Sequence, residues 1–135
     1  MILLPLFAAI TPFILWPIEL FLPYPHIIEE LAKTFLVWMI LKTPVNISPG
    51  WLTVSCGFLF AISESTLYLF NISQVGNTQT LITRLALTIP LHVLTILIIY
   101  FFYSKSKKLA LIGVSLSVLI HFSYNLSINY LTLGK

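Results

Sequence analysis

The stretch IIEELAKTFLVWMILK, Ile27 to Lys42, decides the fold. It is apolar enough to enter a bilayer, yet it opens on Glu29, Glu30 and Lys33. Glu29 and Lys33 stand at i, i+4 and Glu30 and Lys33 at i, i+3, so Lys33 can neutralise either carboxylate from the same helix face. A charge near the bilayer centre costs about 2.5 to 3.5 kcal/mol on insertion scales, so such residues face a bundle interior and mark a function or a specific pairing. The plainer reading is a helix start whose acids are favoured by the helix dipole and whose lysine snorkels to the interface.

Working outward, the chain is apolar nearly throughout. Of its 135 residues 59% are hydrophobic and 8% charged, and the mean hydropathy is +1.01. A soluble domain cannot hide that much apolar surface. The composition predicts an all-α polytopic membrane helical bundle, because long apolar runs broken by short polar loops are the pattern of transmembrane helices. Five segments are expected, near Ile2–Leu22, Ile27–Leu41, Trp51–Phe70, Leu81–Tyr103 and Leu109–Leu131. All 135 residues form one transmembrane domain in this reading, with a Pro-rich first segment over 1–25 and a four-helix core over 26–135. Pro5, Pro12 and Pro17 each remove a backbone donor, so the first segment is expected to kink, cross in two pieces or dip partway. It is taken as retained: no Lys or Arg precedes it and no small-residue cleavage pattern follows at FLPYPH.

The net charge of +3 would suggest nucleic acid in a soluble chain, but here the basic residues read as orientation signals. Lys42, Lys105, Lys107 and Lys108 fall on one side of a five-span arrangement, which the positive-inside rule makes cytoplasmic. The N-terminus is then inside. Cys56, the sole cysteine, lies in an apolar run and is read as an inert structural thiol. The sequons at Asn46, Asn71 and Asn125 matter only in a secretory pathway, and Asn125 falls within a predicted span.

The acids number four, Glu19, Glu29, Glu30 and Glu64, with no aspartate. In GFLFAISE, Gly57, Phe60, Ala61 and Glu64 share one helical stripe. Small residues there let a neighbouring helix approach closely. Packing explains Gly57 and Ala61 but not Glu64. The fourth segment repeats Arg84, Thr88 and His92 at steps of four, and the fifth repeats Ser117, His121 and Asn125. Singly, each histidine is more often an interhelical hydrogen-bonding group than a catalyst. Counting about 1.5 Å per residue from the outer helix ends, Glu30, Glu64, His92 and His121 fall in one layer in the outer half of the bilayer or near its midplane. Four helices each deliver an ionisable group to that layer.

EELAK, GFLFAISE, PLH and HFSYN, one per helix and in this order, resemble the motifs of the PrsW branch of the CAAX-protease-like (CPBP) superfamily of intramembrane peptidases. The resemblance covers segments two to five. Family members are typically longer, so this chain resembles a pared-down version that could depend on other membrane subunits or on a second copy of itself. The resemblance implies hydrolysis of peptide bonds in transmembrane or membrane-anchored protein substrates. For the PrsW branch it implies an extracytoplasmic cut and a prokaryotic plasma membrane. Amide hydrolysis needs a base for water, an acid for the leaving amine and donors for the oxyanion. The implied assignment has Glu30 as base, with Glu29 and Lys33 orienting it. His92, His121 and Asn125 become oxyanion or leaving-group contacts, and Glu64 stands where CAAX proteases carry a histidine.

Two other classes compete: a non-catalytic scaffold that holds substrate within a larger membrane complex, and an ion or proton pathway. A relay should form a ladder across the bilayer, whereas these groups share one layer. No cofactor is expected. Zinc on Glu30, His92 and His121 is the alternative, disfavoured because no HExxH-like pair fixes two ligands on one helix.

Overall fold

The computed structural model describes the backbone of residues 3–44, 46–73 and 78–133, and all side chains in those ranges except 70–73, 78–81, 83, 84 and 129–133. Arg84 and Asn71, singled out in the sequence, therefore have side chains outside the described residues.

The described residues form five helices in chain order: α1 (Leu3–Glu19), α2 (Pro25–Lys42), α3 (Pro49–Ser73), α4 (Thr78–Lys105) and α5 (Lys107–Leu133). Each covers one of the expected apolar runs. Local chemistry sets the boundaries. Pro25 opens α2 in the first turn, where its missing N–H costs nothing. Between α4 and α5 only Ser106 intervenes, and its Oγ accepts from the Leu109 amide at 3.1 Å, capping the new helix. Lys105, Lys107 and Lys108 flank that turn.

Of the alternatives for the first segment, two separate pieces are not what forms: α1 runs unbroken through Pro12 and Pro17. Its inner stripe, Leu4, Ala8, Thr11, Pro12 and Leu15, is buried, and that packing holds the helix together where two backbone donors are missing. Among the described residues, three stretches are long and apolar enough to cross a membrane by length and composition: Pro49–Leu69, Leu85–Lys105 and Lys107–Ile128. α1 is a shorter apolar helix. α2 carries Glu29, Glu30, Lys33 and Lys42 within 18 residues, which lowers its hydropathy below the level of the three spans.

The packing explains those charges. α2 touches α1, α3, α4 and α5, while the outer four pack in the order α1, α3, α4, α5 around it. The buried stripe of α2 reads His26, Glu29, Glu30, Lys33, Leu36, Val37, Ile40, a helical repeat in which charged residues occupy positions that apolar ones would hold in an ordinary core. The outside is inverted as well. Phe13, Trp38, Phe101, Leu111 and Leu119 are exposed, as suits a lipid-facing surface, and the chain is an integral membrane protein.

Two glycines set helix distances. A Cβ on Gly57 would lie 2.7 Å from Ile96 Cγ2 and 3.2 Å from the His92 carbonyl oxygen, so only glycine lets α3 press against α4 beside His92. A Cβ on Gly113 would meet Phe102 Cβ at 2.9 Å, fixing α5 against α4 in the same way.

Candidate active site

EELAK puts two carboxylates about 100° apart around one helix, so each meets different neighbours. Glu30 Oε1 accepts from Lys33 Nζ at 2.7 Å and contacts His121 Nδ1, also at 2.7 Å. An oxygen that already accepts from an ammonium is an acceptor for the ring too, so Nδ1 carries the proton. His121 Nε2 is left with its lone pair, 3.7 Å from Glu29 Oε2. Lys33 also donates to Thr95 Oγ1 at 2.9 Å, and Ser117 donates to the Thr95 carbonyl at 3.0 Å, tying α2, α4 and α5 together. Lys33 and Glu30 are both fully buried. They survive burial because they are paired and hydrogen-bonded.

Across the cluster the groups meet as close charge contacts without hydrogen-bond geometry. His92 Nε2 lies 2.6 Å from Glu64 Oε2, yet both atoms lack a partner of hydrogen-bonding geometry, so the contact is near in distance and off in direction. His92 Nδ1, Glu29 Oε2 and Glu30 Oε2 are also buried without a hydrogen-bond partner. The His92 ring is held by stacking on Phe60, 5.3 Å between centroids, and meets His121 edge-on at 5.1 Å. Buried polar atoms without partners are rare in native structures, and here they gather in one place.

Two cavities reach this cluster. One, of about 310 Å³, is lined by His26, Glu64, Ser65, Thr88 and Asn125 among others. The second, of about 210 Å³, lies against α1 and reaches Glu29 and Glu64. Of the seven residues assigned to the site from sequence, Glu64, Glu29 and Asn125 face a cavity. Glu30, Lys33, His92 and His121 lie behind them, at most 2% exposed. All but Asn125 share the network of contacts just described, and Asn125 lines the larger cavity.

Some of the site was not foreseen. His26, in a stretch read as loop, is buried, with its ring 5.9 Å from that of His121. Its place one turn before Glu29 and Glu30 was the available signal. Glu19 lines the smaller cavity beside Glu29 and Glu64. Thr95 was invisible, since a threonine inside an apolar helix looks like any other.

Ligand atoms of Glu29, His92 and His121 lie within 4.8 Å of one another. The metal-capable set thus has Glu29 where the sequence reading put Glu30, because Glu30 Oε1 is taken by Lys33 and His121. The donors fit a divalent cation such as zinc on three counts. They are two imidazoles and a carboxylate; their free atoms include buried groups with no partner; and His121 is oriented by a carboxylate on its other nitrogen, the arrangement that fixes metal-binding histidines.

A polytopic α-helical membrane protein with glutamates and histidines gathered from four helices into one buried cluster is the class defined by this fold and site. Residues 21–134 match the family model described as PrsW family intramembrane metalloprotease, and the chain belongs to that family. α1 lies outside the matched residues. Comparison with curated proteins and with solved structures gives no match.

Proposed function

We propose that this protein hydrolyses peptide bonds of membrane-anchored substrates, with Glu64 as the base and with Glu29, His92 and His121 holding a divalent metal. The observation that carries this reading is that ligand atoms of Glu29, His92 and His121 lie within 4.8 Å of one another, with Glu64 against His92 at 2.6 Å. A metal held there would supply a Lewis acid for the carbonyl and a bound water of lowered pKa.

The chain's own residues do the rest. Glu64 faces both cavities, so its carboxylate can meet incoming water, take its proton and pass that proton to the leaving amine. Glu30 faces neither cavity and is engaged on Oε1, which suits it to orienting His121 rather than to meeting water. Lys33 balances the Glu30 charge. Asn125 and His26, lining the larger cavity, are placed to donate to the substrate carbonyl. The lysine distribution supports a cytoplasmic N-terminus with the cluster in the outer half of the bilayer.

The test uses purified protein in vesicles with a single-span substrate. Wild type should cut it, and Glu64→Gln should lose about 10²- to 10⁴-fold in turnover, the span of general acid–base catalysis. Wild type that binds but never cuts, with native partners present, establishes a scaffold instead. For orientation, with Cys56 replaced, a cysteine at Phe21 should react with impermeant reagent in intact cells and one at Ser106 should not. The reverse pattern would put the cluster on the cytoplasmic side.

A further inference from the structure

The smaller cavity has a feature that hydrolysis alone does not require. Three of its walls, Pro12, Trp16 and Leu20, come from α1 and the turn after it, outside the family match, and Leu67 of α3 faces them. Its walls are mainly apolar, yet Glu29 and Glu64 also line it. Trp16 and Leu20 are 44% and 66% exposed, so the mouth opens on the lipid-facing surface.

We propose that this cavity is a subsite that receives one large apolar side chain of the substrate, next to the bond that is cut. The proposal rests on the peptidase reading above. The two cavities share Glu64, so a chain lying across that residue has one face towards each. The larger cavity, with His26, Ser65, Thr88 and Asn125, offers polar partners to peptide carbonyls and water. The smaller offers apolar walls, which match the side chains of a membrane span. Size agrees. An apolar cavity of about 150 Å³ binds benzene, so about 210 Å³ admits a leucine or phenylalanine side chain. Glu19, also on its wall, disfavours an acidic side chain there.

The experiment measures kcat/KM for single-span peptides that carry Gly, Ala, Leu or Phe on either side of the mapped cleavage point. At one flank Leu or Phe should exceed Gly by at least about 10-fold, since even one methylene in an apolar pocket is worth that much. Trp16→Ala should move the preference to larger side chains and Leu67→Trp to alanine. An unchanged ranking in both variants, with cleavage still measurable, overturns the subsite. A peptide with a photoreactive leucine analogue at that flank gives a second readout. Cross-links within residues 12–20 and 60–68 support the subsite, and cross-links confined to the larger cavity overturn it. Cross-links in the smaller cavity without any cleavage by wild type would instead sink the peptidase reading, leaving a side-chain-holding site on a scaffold.

Discussion

Glu29 and Glu30 are adjacent in sequence and opposite in circumstance. Glu30 is locked by Lys33 and His121 at 2.7 Å each and faces no cavity. Each keeps one buried oxygen without a hydrogen-bond partner, but only Glu29 looks into the smaller cavity. The same contrast divides the cluster: Glu30, Lys33, Thr95 and Ser117 are knitted together by hydrogen bonds, while His92 meets Glu64 at 2.6 Å without hydrogen-bond geometry and Glu29 lies beside them. The knitted half orients His121, and the open half is free to bind and react. Substitutions in the first should therefore cost stability, and substitutions in the second should cost activity.

The largest effect is expected at Lys33. Lys33→Met leaves Glu30 buried without its counter-charge, and unfolding in detergent should show a loss of about 3 to 5 kcal/mol. Adding Glu30→Gln should recover much of that stability without restoring turnover. A Lys33→Met protein as stable as wild type would break the comparison.

Gly57→Ala comes next. Its Cβ meets side-chain and backbone atoms of α4 at 2.7 to 3.2 Å. Overpacking of this kind costs about 1 to 3 kcal/mol, and because the strain falls beside His92, turnover should drop further than the stability loss accounts for. Full activity in a folded Gly57→Ala protein would show that the α3–α4 distance does not position the site.

The open half should behave in reverse. Glu29→Gln should leave the unfolding free energy within about 1 kcal/mol of wild type, since its buried Oε2 accepts no hydrogen bond that could be lost, while abolishing turnover. A large loss of stability would place Glu29 in the knitted half. The smallest effect belongs to Ser117→Ala, which removes one bond to the Thr95 carbonyl. It should cost about 0.5 to 1.5 kcal/mol, with turnover kept.

Much of this was legible in the sequence because lipid makes charge conspicuous. EELAK and GFLFAISE stand out in apolar runs, and helical spacing alone puts Glu64 on the small-residue face that packs on α4. The division of labour between Glu29 and Glu30 was not legible. Lys33 can reach either one along the helix, and the choice falls to His121, 91 residues later. That is a tertiary fact. His26 was hidden by the prolines around it, which read as loop although Pro25 begins α2. Whether α1 would break was not legible for a related reason: proline reports a lost donor, not the packing of Leu4, Ala8 and Leu15 that offsets it.

The central claim is that the open half, with the free nitrogen of His121, forms a metal-binding reaction centre. Elemental analysis of purified wild type beside Glu29→Gln and His92→Ala tests it most directly, with activity followed through chelation and metal return. The account predicts about one zinc or similar divalent ion per wild-type chain, loss of that ion in both folded variants, and activity that chelation removes and the metal restores. Wild type that cleaves at full rate with no metal bound and is indifferent to chelator would contradict it, and would return the reaction to the glutamates alone.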